Sequence, residues 1–215
     1  MFKMLRALVV SASIACGLAA SAAMAAPQTV YEFAPTERTA TPYNDGILAS
    51  ITVAAPTDIT AVAQRTLAST SVNVKFLVVN TTTNTVLYSS AAKTFPSDGG
   101  TPSFKQSDDF APITLLPGNT YAIGLVSEQP QSLYYQNAAP PVQNGISMVG
   151  FSNAFPYANP AVTGVNPGLG FTLKLVYEEP PVSVPTLSEW SMILLGLLMA
   201  GAAALHLQRR RRLIV

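Results

Sequence analysis

The chain has 215 residues, room for one domain plus targeting segments. Twelve Lys and Arg stand against eleven Asp and Glu, but six of the basic residues (Lys3, Arg6, Arg209, Arg210, Arg211 and Arg212) lie at the two ends. Between Ala26 and Ser183 six basic residues face ten acidic ones, a net charge of −4, and nucleic acid finds no clustered positive footprint there.

The first 25 residues have the form of a secretory signal. Lys3 and Arg6 give the positive start, Leu8 to Ala20 the apolar run, and Ala23-Met24-Ala25 the small-residue cleavage site. Cleavage by signal peptidase after Ala25 is expected; an uncleaved anchor is the alternative. Cys16 follows Ser13-Ile14-Ala15, without the leucine that precedes a lipidated cysteine, so it reads as an apolar residue of the signal core. It is the only cysteine, and the only histidine is His206 near the other end. The exported part therefore holds neither residue. That removes Ser-His-Asp triads, cysteine nucleophiles, His-ligated metals and internal disulfides, and a protein with no catalytic residues and no cofactor is expected.

Beyond the signal the chain reads as strands and turns. Thr29 to Phe33 (TVYEF) is a first strand, and Asn44-Asp45-Gly46 a turn. In GILASITV, Ile47, Ala49, Ile51 and Val53 recur at period two, the pattern of a half-buried strand. Asp58 to Leu67 is a strand or a short helix. SVNVKFLVVN is the clearest strand, with Val72, Val74, Phe76 and Val78 on one face and Asn73, Lys75, Leu77 and Val79 on the other. TTTNT then turns the chain into VLYSSA, a hairpin. Lys93 to Asp109 is a long loop. After FAPITLL and the turn Pro117-Gly118-Asn119, Tyr121, Ile123 and Leu125 alternate in a further strand. From Gln129 to Gly170 the chain loosens, with SLYYQ and ISMVGFS as short strand candidates. The last strand, GFTLKLVYE, points Phe171, Leu173, Leu175 and Tyr177 inward and Thr172, Lys174 and Glu178 outward. About eight strands separated by turns predict an all-β domain over residues 26–178, an antiparallel β-sandwich that is jelly-roll-like.

Two kinds of binding chemistry remain for this domain. Asp45, Asp58, Asp98, Asp108 and Asp109 fall in or beside expected loops, where oxygen ligands could hold a structural calcium ion, though no EF-hand spacing is present. The plainer expectation is solvated turn residues and no metal. Tyr134, Tyr135, Asn153 and Tyr157 place aromatic faces and amides in the loosened region, a platform for glycan contact. The competing expectation is tyrosines capping a sheet edge with their hydroxyls in water. Adjacent carboxylates (Asp108-Asp109, Glu178-Glu179) project to opposite faces of a strand and make poor acid–base pairs for glycoside hydrolysis.

The end of the chain carries the strongest signal. Residues 179–183 form a Pro-rich spacer. Val184, Pro185, Thr186, Leu187, Ser188, Glu189 and Trp190 follow, then the apolar run Ser191 to Leu207, then Arg209 to Arg212. A helix over 191–207 would be about 26 Å long, at the short end of what spans a bilayer. Trp190 sits at one boundary. The arginines at the other act as a cytoplasmic stop-transfer, which leaves everything before Trp190 outside. On periodicity alone this is a membrane anchor. Taken together, VPTLSEW, the apolar helix and the arginines over residues 184–215 resemble the IPTL-CTERM sorting signal, a relative of PEP-CTERM signals, with Val184 in the place of the usual Ile. The resemblance implies an exported surface protein of a Gram-negative bacterium. It would be held in the inner membrane until an exosortase-type sorting enzyme acts on the tail, and then serve the cell envelope or extracellular matrix. An alternative role is a carbohydrate-binding module that recognises an exopolysaccharide.

Overall fold

Period-two alternation buries one face of each strand, and the pairing of those faces sets the architecture. The computed structural model describes residues 26–38, 43–137, 140–179 and 191–202. Fifteen strands occur among them: β1 (Gln28–Phe33), β2 (Glu37–Arg38), β3 (Tyr43–Val53), β4 (Thr57–Ile59), β5 (Ala61–Leu67), β6 (Val72–Asn80), β7 (Thr85–Ser89), β8 (Lys93–Phe95), β9 (Ser103–Gln106), β10 (Ile113–Leu115), β11 (Thr120–Gln136), β12 (Ile146–Phe155), β13 (Ala161–Val162), β14 (Gly170–Phe171) and β15 (Leu173–Tyr177). Residues 191–202 are helical. Every pairing is antiparallel. The strands form one compact unit over residues 26–178.

One layer runs β13-β12-β3-β11-β6, with β7 and β8 on the far edge of β6. The other runs β1-β15-β5-β9. Side chains of both layers meet in one core: Ala49, Ile51 and Val53 of β3, Val72, Val74, Phe76 and Val78 of β6, and Tyr121, Ile123 and Leu125 of β11 pack with Tyr31, Val62, Leu173 and Leu175. The faces expected from alternation are thus the core faces. Asp58 to Leu67, ambiguous in sequence, is two strands. The second faces are less exposed than alternation suggests. Leu77 and Val79 of β6 lie buried with Leu48, Ala122, Val126 and Ala154, and Tyr157 and Val162 pack against them. Thr172, expected outward, is fully buried; its hydroxyl bonds both the N–H and the carbonyl of Arg65.

The chain does not loosen at Gln129. β11 continues for 17 residues and belongs to both layers. Residues 121–127 pair with β6, whereas Ser132 and Leu133 pair with β5 and Tyr134 to Gln136 with β2 and β14. Buried positions give way at Glu128, Gln129 and Pro130, where the strand changes layer. Proline brings no N–H to that corner, so no ladder bond is lost there.

The β3–β11 ladder pairs Ile123 with Ala49 and next pairs Ser127 with Asp45. In the interval Gln64 enters from β5. Its Oε1 accepts from the Leu125 N–H at 3.0 Å, and its Nε2 donates to the Ile47 carbonyl at 2.9 Å. The side-chain amide stands where a ladder bond between the two backbones would be. Gln64 is fully buried. The space exists because residue 124 is glycine: a Cβ there would sit 2.7 Å from Gln64 Oε1.

Gln64→Leu keeps the volume and removes both bonds, leaving a buried N–H and a buried carbonyl unpaired. The expected cost is about 2–4 kcal/mol of stability, read as a lower urea midpoint at an unchanged slope. A loss under half of that would mean the strands close up without the amide.

Candidate functional site

The sorting residues Val184 to Trp190, the stop-transfer arginines Arg209 to Arg212, and the cleavage residues Ala23 and Ala25 lie outside the described residues. The start of the apolar run is helical, over residues 191–202. Met192, Ile193, Leu194, Leu195, Leu197, Leu198 and Met199 are all exposed on it. Among the described residues, no helix is long and apolar enough to cross a membrane.

The four residues proposed for glycan contact fall on ordered parts of the sandwich. Tyr134 and Tyr135 are consecutive in β11, and Asn153 lies in β12. Tyr134 is buried, and the Arg65 guanidinium covers its ring at 5.1 Å. Tyr135 packs on the cluster of Ile47, Leu133 and Phe171. The backbone of Asn153 is tied to the Thr163 hydroxyl. Tyr157 packs on the other cluster, under Lys75, whose Nζ lies 4.7 Å from the ring centroid. Lys75 also donates to the carbonyls of Tyr157 and Ala158, and Asp45 accepts from the Tyr157 N–H. These contacts staple the 156–160 loop to the sheet. The structure does not gather the rings into one face: Tyr135 and Tyr157 serve different clusters. The tyrosines do not simply hold their hydroxyls in water either. Among the described residues the hydroxyl of Tyr157 is buried without a partner, and so is that of Tyr31 in β1. Burial raises the phenol of Tyr157, with a further push from the Glu128 carboxylate, and burial alone raises Tyr31 to about 12.

The acidic residues are spread out. Asp58 accepts from the Thr114 hydroxyl, and Asp108 pairs with Lys93 at 2.6 Å. Asp109 is exposed. Among the described residues no three His, Cys, Asp or Glu side chains come together.

Asp98 has a role that its sequence context hides. Its Oδ2 lies 2.7 Å from Nζ of Lys105, a lysine whose side chain is 1% exposed. The same oxygen accepts from the Ala68 N–H at 2.6 Å, and Oδ1 accepts from the Ser103 hydroxyl. One carboxylate thus fastens the 97–103 loop to the end of β5 and neutralises a buried ammonium. Burial by itself would raise the Asp98 carboxyl. The bonds from Lys105, Ser103 and Ala68, with the Lys105 charge, outweigh it and hold the group below its ordinary value. Nothing local marks this pair in the sequence: Asp98-Gly99-Gly100 reads as a solvated turn, and Lys105 as one scattered lysine among several.

Because the Asp98 value is depressed on folding, its contribution is complete above the unfolded carboxyl value of about 3.9 and is lost as pH falls through the folded value. Asp98→Asn should cost about 3–5 kcal/mol at neutral pH, since it strands a buried charge. It should also flatten the acid limb of the stability–pH profile; an unchanged limb would place the acid sensitivity elsewhere. Tyr157→Phe and Tyr31→Phe should leave the melting temperature unchanged or raised, because each removes a buried hydroxyl that has no partner. A clear drop for either would reveal a bond to that hydroxyl.

Comparison with known proteins speaks to the tail. Residues 182–212 match the model of the IPTL-CTERM motif, and the matched span takes in Val184 to Trp190, the whole apolar run and the four arginines. No curated protein matches the chain. The chain carries an IPTL-CTERM sorting signal, the mark of an exported protein, at the end of an antiparallel all-β domain.

Proposed function

We propose that this is a non-enzymatic surface protein, exported through a signal over residues 1–25 and cut after Ala25 by signal peptidase. It is held in the inner membrane by the 191–207 helix and then processed at its tail by an exosortase-type enzyme. The observation that carries this reading is the match over residues 182–212, which begins four residues after the folded unit ends at Glu178. A tail that starts so close to a finished domain acts on where the domain goes, not on how it folds.

The fold supports the same order of events. β1 begins at Gln28, two residues after Ala26, and pairs with β15, the last strand, Gln28 opposite Tyr177. The exit is clamped: the Thr60 N–H donates to the Val176 carbonyl and the Glu178 N–H to the Thr60 hydroxyl. First and last strands of a jelly-roll-like sandwich thus close on each other, and residues 179–183 link the closed domain to the motif. Arg209 to Arg212 keep the end of the chain cytoplasmic, and the domain lies outside. Its place is the envelope or extracellular matrix.

Intact mass by cell fraction tests this. Surface material should begin at Ala26 and end within Val184 to Trp190. A chain that keeps Arg209 to Val215 in every fraction would leave a plain anchored domain. Replacing the four arginines with Ser should cut retention in the inner membrane and lower the processed yield several-fold; unchanged processing would contradict the topology.

A further inference from the structure

β1 is an edge strand, and an open edge recruits other strands unless it is blocked. One of its edges pairs with β15. The other meets two side chains from the turn before β12. Gln143 Oε1 accepts from the Glu32 N–H at 3.2 Å, and Gln143 Nε2 donates to the Glu32 carbonyl at 2.9 Å. Asn144 Nδ2 donates to the Val30 carbonyl at 2.8 Å. Three groups of the β1 edge are thus satisfied by two amides in place of a strand.

The latch rests on a labile dipeptide. Asn144 and Gly145 form the two-residue turn between Gln143 and Ile146, whose backbones exchange both hydrogen bonds. Both central residues have positive φ, 51° and 75°, as a type I′ hairpin turn requires. Of the ten asparagines in the chain, Asn144 alone precedes glycine. Glycine sets no side chain between its nitrogen and the Asn amide carbon. Asn144 is exposed, so water reaches it.

We propose that Asn144 is a site of spontaneous deamidation that releases the outer edge of β1. The Gly145 backbone nitrogen loses its proton and bonds to Asn144 Cγ; the Cγ–Nδ2 bond breaks and ammonia leaves with that proton. Water then opens the cyclic imide at one of its two carbonyls, giving aspartate or isoaspartate. Either product replaces a donor with a carboxylate facing the Val30 carbonyl, an acceptor, so the contact turns from attraction to repulsion. Isoaspartate also adds a backbone atom to a two-residue turn and misplaces Gln143. The domain then presents an unblocked strand edge in proportion to its age.

The test is to incubate the purified full-length protein in detergent at neutral and mildly alkaline pH and map deamidation by peptide mass. Asn144 should convert before any other asparagine, with isoaspartate among the products, and faster at the higher pH. Protection of the Glu32 amide against hydrogen exchange should fall about five- to tenfold in the converted fraction. Asn144→Asp, which supplies one product directly, should show the same fall without incubation. Conversion of another asparagine first would overturn the proposal. So would an Asn144→Asp protein whose Glu32 amide is as protected as in the parent.

Discussion

The two layers share one strand, β11, and its ladder with β3 opens inside the core. β11 pairs with β6 over residues 121–127, with β3 from Thr120 to Gln131 and with β5 at Ser132 and Leu133. Between Ile123 and Ser127 the β3–β11 ladder opens, and the Leu125 N–H and the Ile47 carbonyl lie inside a core that excludes water. Such groups are costly to bury unpaired. Gln64 answers both with one amide. Because Gln64 belongs to β5, the repair also ties the second layer to the first. The absence of a side chain at residue 124 is part of the same device.

Amides stand in for backbone at a second place, where Gln143 and Asn144 complete the outer edge of β1. The two cases differ in exposure and therefore in consequence. Gln64 is sealed and works as a permanent member of the ladder. Gln143 and Asn144 lie on the surface and guard an edge that would otherwise invite other chains. β1 in turn pairs with β15, the strand from which the chain leaves toward the sorting signal. Core, edge and exit form one connected path through sheet hydrogen bonds.

Much of the core was legible in the sequence. Period two named the inward residues of β3, β6, β11 and β15 because one face of each strand is apolar enough to need covering. The pattern failed where both faces are covered, as at Leu77 and Val79, since alternation assumes water on one side. It fell short from Gln129 onward. There SLYYQ and ISMVGFS read as short strands in a loosened stretch; both are strands, and Tyr134 and Tyr135 belong to the long β11, held by pairing with distant segments. Gln64, Asp98 and Lys105 left no local trace, because burial of a polar group is decided by partners far away in the chain. The sorting signal was the reverse case. Its parts are consecutive, so motif, apolar run and arginines are read directly, and the match over residues 182–212 agrees with them.

The Gln64 bridge joins the two layers, and the amide of Leu125 reports on it alone. Native-state hydrogen exchange of the full-length protein would measure it. If the bridge is as described, the Leu125 amide exchanges only with global unfolding, together with the ladder amides of Tyr121 and Ile123. A Leu125 amide that exchanges as fast as those of the 97–103 loop, while its neighbours stay protected, would show the gap to be open and contradict the account.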